Sequence, residues 1–115
     1  MKILIVDDNA SVRRLIRSVL PALVSEIYEC ANGADALTTY QAQRPDVVLM
    51  DIRMSEMDGI QATQRIKAAD QGARILIVTD YDDEELRRAA MRAGAWGYVL
   101  KKNLLALVQL LEAME

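Results

Sequence analysis

Three uninterrupted aliphatic runs, Ile3-Leu4-Ile5-Val6, Val47-Val48-Leu49-Met50 and Ile75-Leu76-Ile77-Val78, are spaced along the chain with longer mixed segments between them. A run of this kind has no polar side, so a strand made from it must be covered on both faces. The intervening segments supply the covers. Val12, Leu15, Ile16 and Val19 recur at i, i+3, i+4 and i+7, which places them on one helix face. Leu86, Ala89, Ala90 and Ala93 do the same, as do Leu104, Leu107, Val108 and Leu111, and a shorter pattern runs through Ala36, Leu37 and Tyr40. Two weaker strand signals, Ile27-Tyr28-Glu29-Cys30 and Tyr98-Val99-Leu100, complete the series. Five strands alternating with five helices predict an α/β fold, a doubly wound parallel sheet with helices on both sides.

The punctuation agrees with that alternation. Asn9 or Asp8 is placed to cap the first helix and Pro21 to end it. Asn32 is expected to cap the second helix and Pro45 to stop it. Asp58-Gly59-Ile60-Gln61 has capping-box spacing and opens the third. Asp82 and Asp83 begin the fourth, Glu84 and Glu85 suit its positive end, and Gly94 terminates it.

Composition narrows the chemistry. The 115 residues amount to one domain, with no linker or repeat and no second domain in this sequence. Lys and Arg number 14 and Asp and Glu 17, so 14 − 17 gives a net charge of −3, and no basic block is present. Direct nucleic-acid binding by this chain is therefore not expected. The absence of histidine removes Ser-His-Asp and Cys-His catalysis and imidazole metal ligands. A single cysteine, Cys30, forms no internal disulfide and reads as a small buried hydrophobe. No apolar run approaches the ~18–20 residues that span a bilayer, and the first segment reaches Asp7 too early for a signal peptide. A cytoplasmic protein without membrane contact is the expectation.

In open parallel sheets the site lies beyond the carboxyl ends of the strands, where strand order reverses. Asp7 and Asp8 follow the first strand, Asp51 the third, Thr79 the fourth and Lys101 the fifth. Each has an ordinary reading alone, as a turn, a cap or a solvated charge. Together they converge on one rim. Carboxylates ~4 Å apart repel by about 4 kcal/mol per pair at an effective dielectric of 20, so a fold retains such a cluster when a cation relieves it. An all-oxygen donor set favours a hard ion, with Mg²⁺ the first choice. Lys101 and the Thr79 hydroxyl then suit phosphate oxygens, and the set is built to hold a phosphoryl group on a carboxylate.

With these residues in place, the whole chain resembles the receiver domain of two-component response regulators, the CheY-like family. The resemblance is carried by Asp7-Asp8, Asp51, Met54-Ser55-Glu56-Met57-Asp58-Gly59, Thr79, and Gly94-Ala95-Trp96-Gly97-Tyr98-Val99-Leu100-Lys101. It implies a single receiver domain over 1–115, a flavodoxin-like fold and strand order 2-1-3-4-5, which periodicity does not show. It implies Asp51 as the phosphoacceptor, taking a phosphoryl group from a sensor histidine kinase. Mg²⁺ ligands would be Asp8, Asp7, Asp51 and the backbone carbonyl of Arg53. Lys101 would bind the phosphoryl group, and Thr79 and Tyr98 would form the switch that alters the face made by the fourth helix, fifth strand and fifth helix. Arg53 and Tyr81 stand at positions that tune the lifetime of the phosphate in the family. Partners would be the kinase and either a second copy or an output domain. The segment Gly94–Lys102 is similar to regulators of the NarL/LuxR type, which implies control of transcription through a DNA-binding domain outside these residues.

Ser55 stands where the family usually has proline, Asp80 where a small residue is usual, and Lys102 where proline often follows the lysine. The Lys101-Lys102 bond is expected to be trans. Two other classes compete. A small aspartyl-phosphate phosphatase needs a second acid two residues after its nucleophile, but Arg53 holds that position. A receiver that is never phosphorylated is opposed by the complete set of Asp8, Asp51, Thr79 and Lys101. The domain could also stand alone and signal through a protein partner. Leu105 and Leu110 exceed what one helix face needs, Trp96 is placed near the output face, and Arg87, Arg88 and Arg92 form a basic helix face.

Overall fold

A computed structural model describes residues 1–114. Strands and helices alternate throughout: β1 (Lys2–Val6), α1 (Ala10–Val19), β2 (Glu26–Cys30), α2 (Ala36–Gln43), β3 (Val47–Met50), α3 (Gly59–Ala69), β4 (Ile75–Thr79), α4 (Glu84–Arg92), β5 (Gly97–Leu100) and α5 (Leu104–Ala113). The strands form one parallel sheet in the order β2-β1-β3-β4-β5. The chain first moves outward from β1 to β2, then crosses back to β3, so winding reverses between β1 and β3.

The aliphatic runs are covered on both faces, and side chains alternate between the faces as strand geometry requires. Leu4, Val6, Val48, Met50, Ile75 and Ile77 pack in one cluster with Tyr40 of α2, Ala62 and Ile66 of α3 and Ala90 of α4. Ile3, Ile5, Val47, Leu49, Leu76 and Val78 pack in the other with Ile16 of α1 and Leu107 and Leu111 of α5. Leu107 is fully buried, so Leu107→Ala should lower stability by about 3 kcal/mol in a urea titration. Leu105 is 66% exposed, and Leu105→Ser on the same helix should change it by less than ~0.5 kcal/mol. Leu110 packs partly against the second cluster and is not surplus. Only Cys30 of the edge strand β2 is buried, which explains that strand's weak apolar signal.

The local signals hold at most boundaries. The Asn9 side chain, not Asp8, caps α1 by accepting from the Ser11 and Val12 amides. The helix stops at Val19, with Leu20 extended ahead of Pro21. Arg44 ends α2 in the left-handed conformation just before Pro45. Asp58 caps α3 through the Ile60 and Gln61 amides, and Asp83 caps α4 through Leu86. Gly94 supplies a φ of 105° after α4. All described peptide bonds are trans, including Lys101-Lys102.

Two expectations are corrected. Asn32 does not cap α2; its side chain accepts from the Asp35 amide and closes a turn, and the helix begins at Ala36. Its hydrogen-bonding capacity is consumed by that local turn before the helix starts. Leu15 is not an inner residue but 53% exposed. Ile16 takes the centre of the buried stripe, and its neighbour lies ~100° around the helix, toward the rim. No helix among the described residues is long and apolar enough to cross a membrane.

Candidate functional site

The carboxyl ends of β1 and β3 flank the point where winding reverses, and each delivers an acid there. The Asp7 amide still donates to the Cys30 carbonyl and the Asp51 amide to Val6, so both acids sit on the last rung of the sheet. Asp7 and Asp51 are buried, while Asp8, one residue further into the turn, is exposed. Oxygens from the three carboxylates lie within 4.8 Å of one another.

Lys101 reaches across from the end of β5. Its Nζ lies 2.9 Å from Asp7 Oδ2 and 3.4 Å from Asp51 Oδ1. Asp80 adds a third, mostly exposed carboxylate 3.9 Å from the same nitrogen. The lysine is held in place by its own backbone, whose amide donates to the Thr79 carbonyl. With Asp8 the cluster holds four carboxylates and one ammonium, a formal surplus of three negative charges. Burial, followed by the charge of Asp7, pushes the Asp51 carboxyl up from 3.8 to about 6, although Lys101 and the Ile52 amide oppose it. Burial works against the Lys101 charge, but the Asp7 hydrogen bond and the charges of Asp51, Asp7 and Asp80 outweigh it and raise its pKa.

This donor set fits a hard divalent cation. It is all oxygen and anionic, and its oxygens are close enough for one ion to bridge. Arg53, expected to contribute its backbone carbonyl, lies in the loop after Asp51, where Glu56 and Met57 take positive φ values of 63° and 139°. Its guanidinium is committed elsewhere, 4.6 Å over the Tyr81 ring.

Thr79 and Tyr98, the expected switch residues, lie beside this cluster and meet at Tyr81. Thr79 is fully buried, and its hydroxyl accepts from the Tyr81 amide at 3.2 Å. The Tyr98 ring is buried in the inner position, and its hydroxyl donates to the Tyr81 carbonyl at 2.6 Å. Arg87 of α4 lies 4.6 Å from the Tyr98 ring centroid, so one member of the predicted basic face is occupied within the domain.

Sequence reading brought the three acids, Lys101 and Thr79 to the same end of the sheet, and the family resemblance added Tyr98. It missed Arg13, whose Nη1 donates to the Asp7 backbone carbonyl at 2.6 Å, and the stacking of Arg53 on Tyr81. It also missed why position 59 is glycine: a Cβ there would lie 1.8 Å from the Asp51 carbonyl oxygen. None of these contacts has a spacing signature, because each joins different elements.

Comparison with known proteins agrees with the geometry. Residues 3–114 match the model of the response regulator receiver domain family. Over 100 residues the chain is 41% identical to chemotaxis protein CheY of Halobacterium salinarum, an alignment covering 87% of this chain and 83% of the relative. It is 40% identical over 100 residues to regulatory protein AtoC of Escherichia coli, covering 87% of this chain and 22% of that longer protein. The solved structure of a LuxR-family two-component response regulator from Aurantimonas superposes with a TM-score of 0.90 at 35% identity, over 98% of this chain and 83% of that one.

Proposed function

The chain belongs to the response regulator receiver domain family, and on that premise we propose that it is a working phosphoacceptor whose acceptor residue is Asp51. Receiver domains are signalling modules rather than conventional enzymes, and they bind Mg²⁺ at an acidic pocket. The observation that carries the reading is the meeting of Asp7, Asp8 and Asp51 with Lys101 at the reversal of winding.

In the proposed step an Asp51 carboxylate oxygen attacks the phosphorus of a kinase phosphohistidine. The new O–P bond forms as the P–N bond breaks, and the electron pair leaves with the histidine nitrogen, which takes a proton from solvent. Lys101 shifts from carboxylate oxygens to a phosphoryl oxygen, and the Thr79 hydroxyl donates to another. Asp7, Asp8, Asp51 and the Arg53 carbonyl would hold Mg²⁺, which would offset charge on the transferring group. Burial of Asp51 keeps solvent from its carboxylate, and Lys101 keeps the ionised form available near neutral pH. The product is an acyl phosphate, which water releases slowly.

The proposed consequence is a population shift at Thr79, Tyr98 and the α4-β5-α5 face. We read the whole of 1–115 as a single receiver domain in the cytoplasm. Its kinase would be a sensor histidine kinase, and its output a DNA-binding transcription regulator. The LuxR-family neighbour supports that output. The likeness to a chemotaxis CheY protein supports the alternative of a domain acting through a protein partner or a second copy.

Incubation with acetyl phosphate and Mg²⁺ followed by intact-mass measurement tests the reading. One added phosphoryl group is expected, and EDTA should abolish it. Lys101→Ala should reduce uptake by at least ~100-fold, the scale for removing one transition-state charge partner. Uptake that is indifferent to both EDTA and Lys101→Ala would overturn the assignment.

A further inference from the structure

The Asp7 carbonyl lies just past the last rung between β1 and β2, where Val6 faces Cys30. The first turn of α1 takes the next-but-one carbonyl: the Arg13 amide donates to Asn9 at 3.1 Å. The side chain of the same arginine turns back to the Asp7 carbonyl, with Nη1 at 2.6 Å. Arg13 thus fastens both ends of the turn that carries Asp7 and Asp8.

The guanidinium is itself fixed. Its Nε donates to Glu29 Oε1 of β2 at 2.7 Å, and Arg17, one helical turn further on, holds Glu29 Oε2 at 2.7 Å. The Arg13 side chain is only 17% exposed. Two donors of one planar group therefore meet two acceptors on different elements, an arrangement that a lysine cannot reproduce. Within the turn, the Asn9 amide holds Asp7 Oδ1 at 2.9 Å, and Lys101 takes Oδ2. Asp7 is consequently restrained through its backbone carbonyl and both carboxylate oxygens.

Building on the receiver reading, we propose that Arg13 is the positioning residue of the Asp7-Asp8 turn, setting these carboxylates for a divalent cation through the Asp7 carbonyl while Glu29 sets Arg13. The charge of Arg13 alone would act the other way. A guanidinium near a cation site repels the cation, so removing it for electrostatic reasons only would tighten binding. Positioning and charge therefore predict opposite signs.

The test is calorimetric titration of MgCl₂ into donor-free protein, comparing wild type with Arg13→Ala, Arg13→Lys, Glu29→Gln and, as a control on the same helix, Arg14→Ala. Arg13→Ala should weaken Mg²⁺ binding by about tenfold or more, the usual scale for losing a support behind a metal ligand. Arg13→Lys should also weaken it despite keeping the charge, Glu29→Gln should weaken it less, and Arg14→Ala should not weaken it. Hydrogen exchange at the Asp8 and Asn9 amides in metal-free protein should accelerate in Arg13→Ala, with circular dichroism showing the fold retained. Unchanged or tighter Mg²⁺ binding by Arg13→Ala, or unchanged exchange at those amides, overturns the positioning role alone. No Mg²⁺ binding by the wild type overturns the phosphoacceptor reading, and the cation role of Arg13 with it.

Discussion

Asp51→Asn should abolish phosphoryl uptake and, in metal-free buffer near pH 7.5, raise the melting temperature by several degrees. The loss of uptake follows from chemistry, since an amide oxygen cannot form the acyl phosphate. The gain in stability follows from burial, which together with Asp7 raises the Asp51 carboxyl from 3.8 to about 6. Between those values the folded chain keeps a proton that the unfolded chain has released. This group's contribution to stability therefore falls as pH rises through that window, and its cost is complete above about 6. A displacement of that size corresponds to at most roughly 3 kcal/mol. Asparagine keeps an oxygen for the Ile52 amide, which donates to Asp51 Oδ1 at 2.9 Å, but carries no charge. Thermal unfolding with EDTA at several pH values checks this: the advantage of the variant should close as pH drops toward 4. A variant less stable than wild type at pH 7.5 would contradict the electrostatic account.

Gly59→Ala should be the most damaging single-methyl change in the molecule. The added Cβ would sit 1.8 Å from the Asp51 carbonyl oxygen, 2.8 Å from its carbon and 2.9 Å from Met50 Cγ. Two of those atoms are backbone on the last rung of β3 and cannot rotate away. The Gly59 amide also donates to the Ile52 carbonyl at 2.7 Å, so the helix start is pinned against the strand end. Relief requires moving α3 or the acceptor itself. A destabilisation of about 3 kcal/mol or more is expected, at the upper end for overpacking, with Mg²⁺ binding and phosphoryl uptake falling together. Equilibrium unfolding and the mass assay read both effects. Gly72→Ala is the comparison, because its nearest added contact is 3.4 Å from the Asp70 side chain.

The layering was legible because four-residue aliphatic runs admit no strand with a wet face, and Ile3–Val6, Val47–Met50 and Ile75–Val78 are such runs. Strand order was not carried by periodicity and came from the family resemblance. The misread residues failed for opposite reasons. Leu15 obeyed the helical spacing but lies beside, not on, the narrow stripe centred on Ile16. Asn32 obeyed the capping preference but is used by a turn in front of the helix. At the site, acids and lysine were legible because strand ends deliver them to one rim. Arg13 and Gly59 acquire their importance from contacts between separate elements, which a linear pattern does not encode.

Tyr81 serves as a junction. Its ring answers to Arg53 in the loop after Asp51, its amide to the Thr79 hydroxyl and its carbonyl to the Tyr98 hydroxyl. Two of these three links use main-chain atoms that nearly every residue type supplies. The side chain at this position is therefore free to change with the demands of the rim while the connection between strand end and buried ring persists. The link itself is carried by the backbone, and the side chain adds only its contact with Arg53.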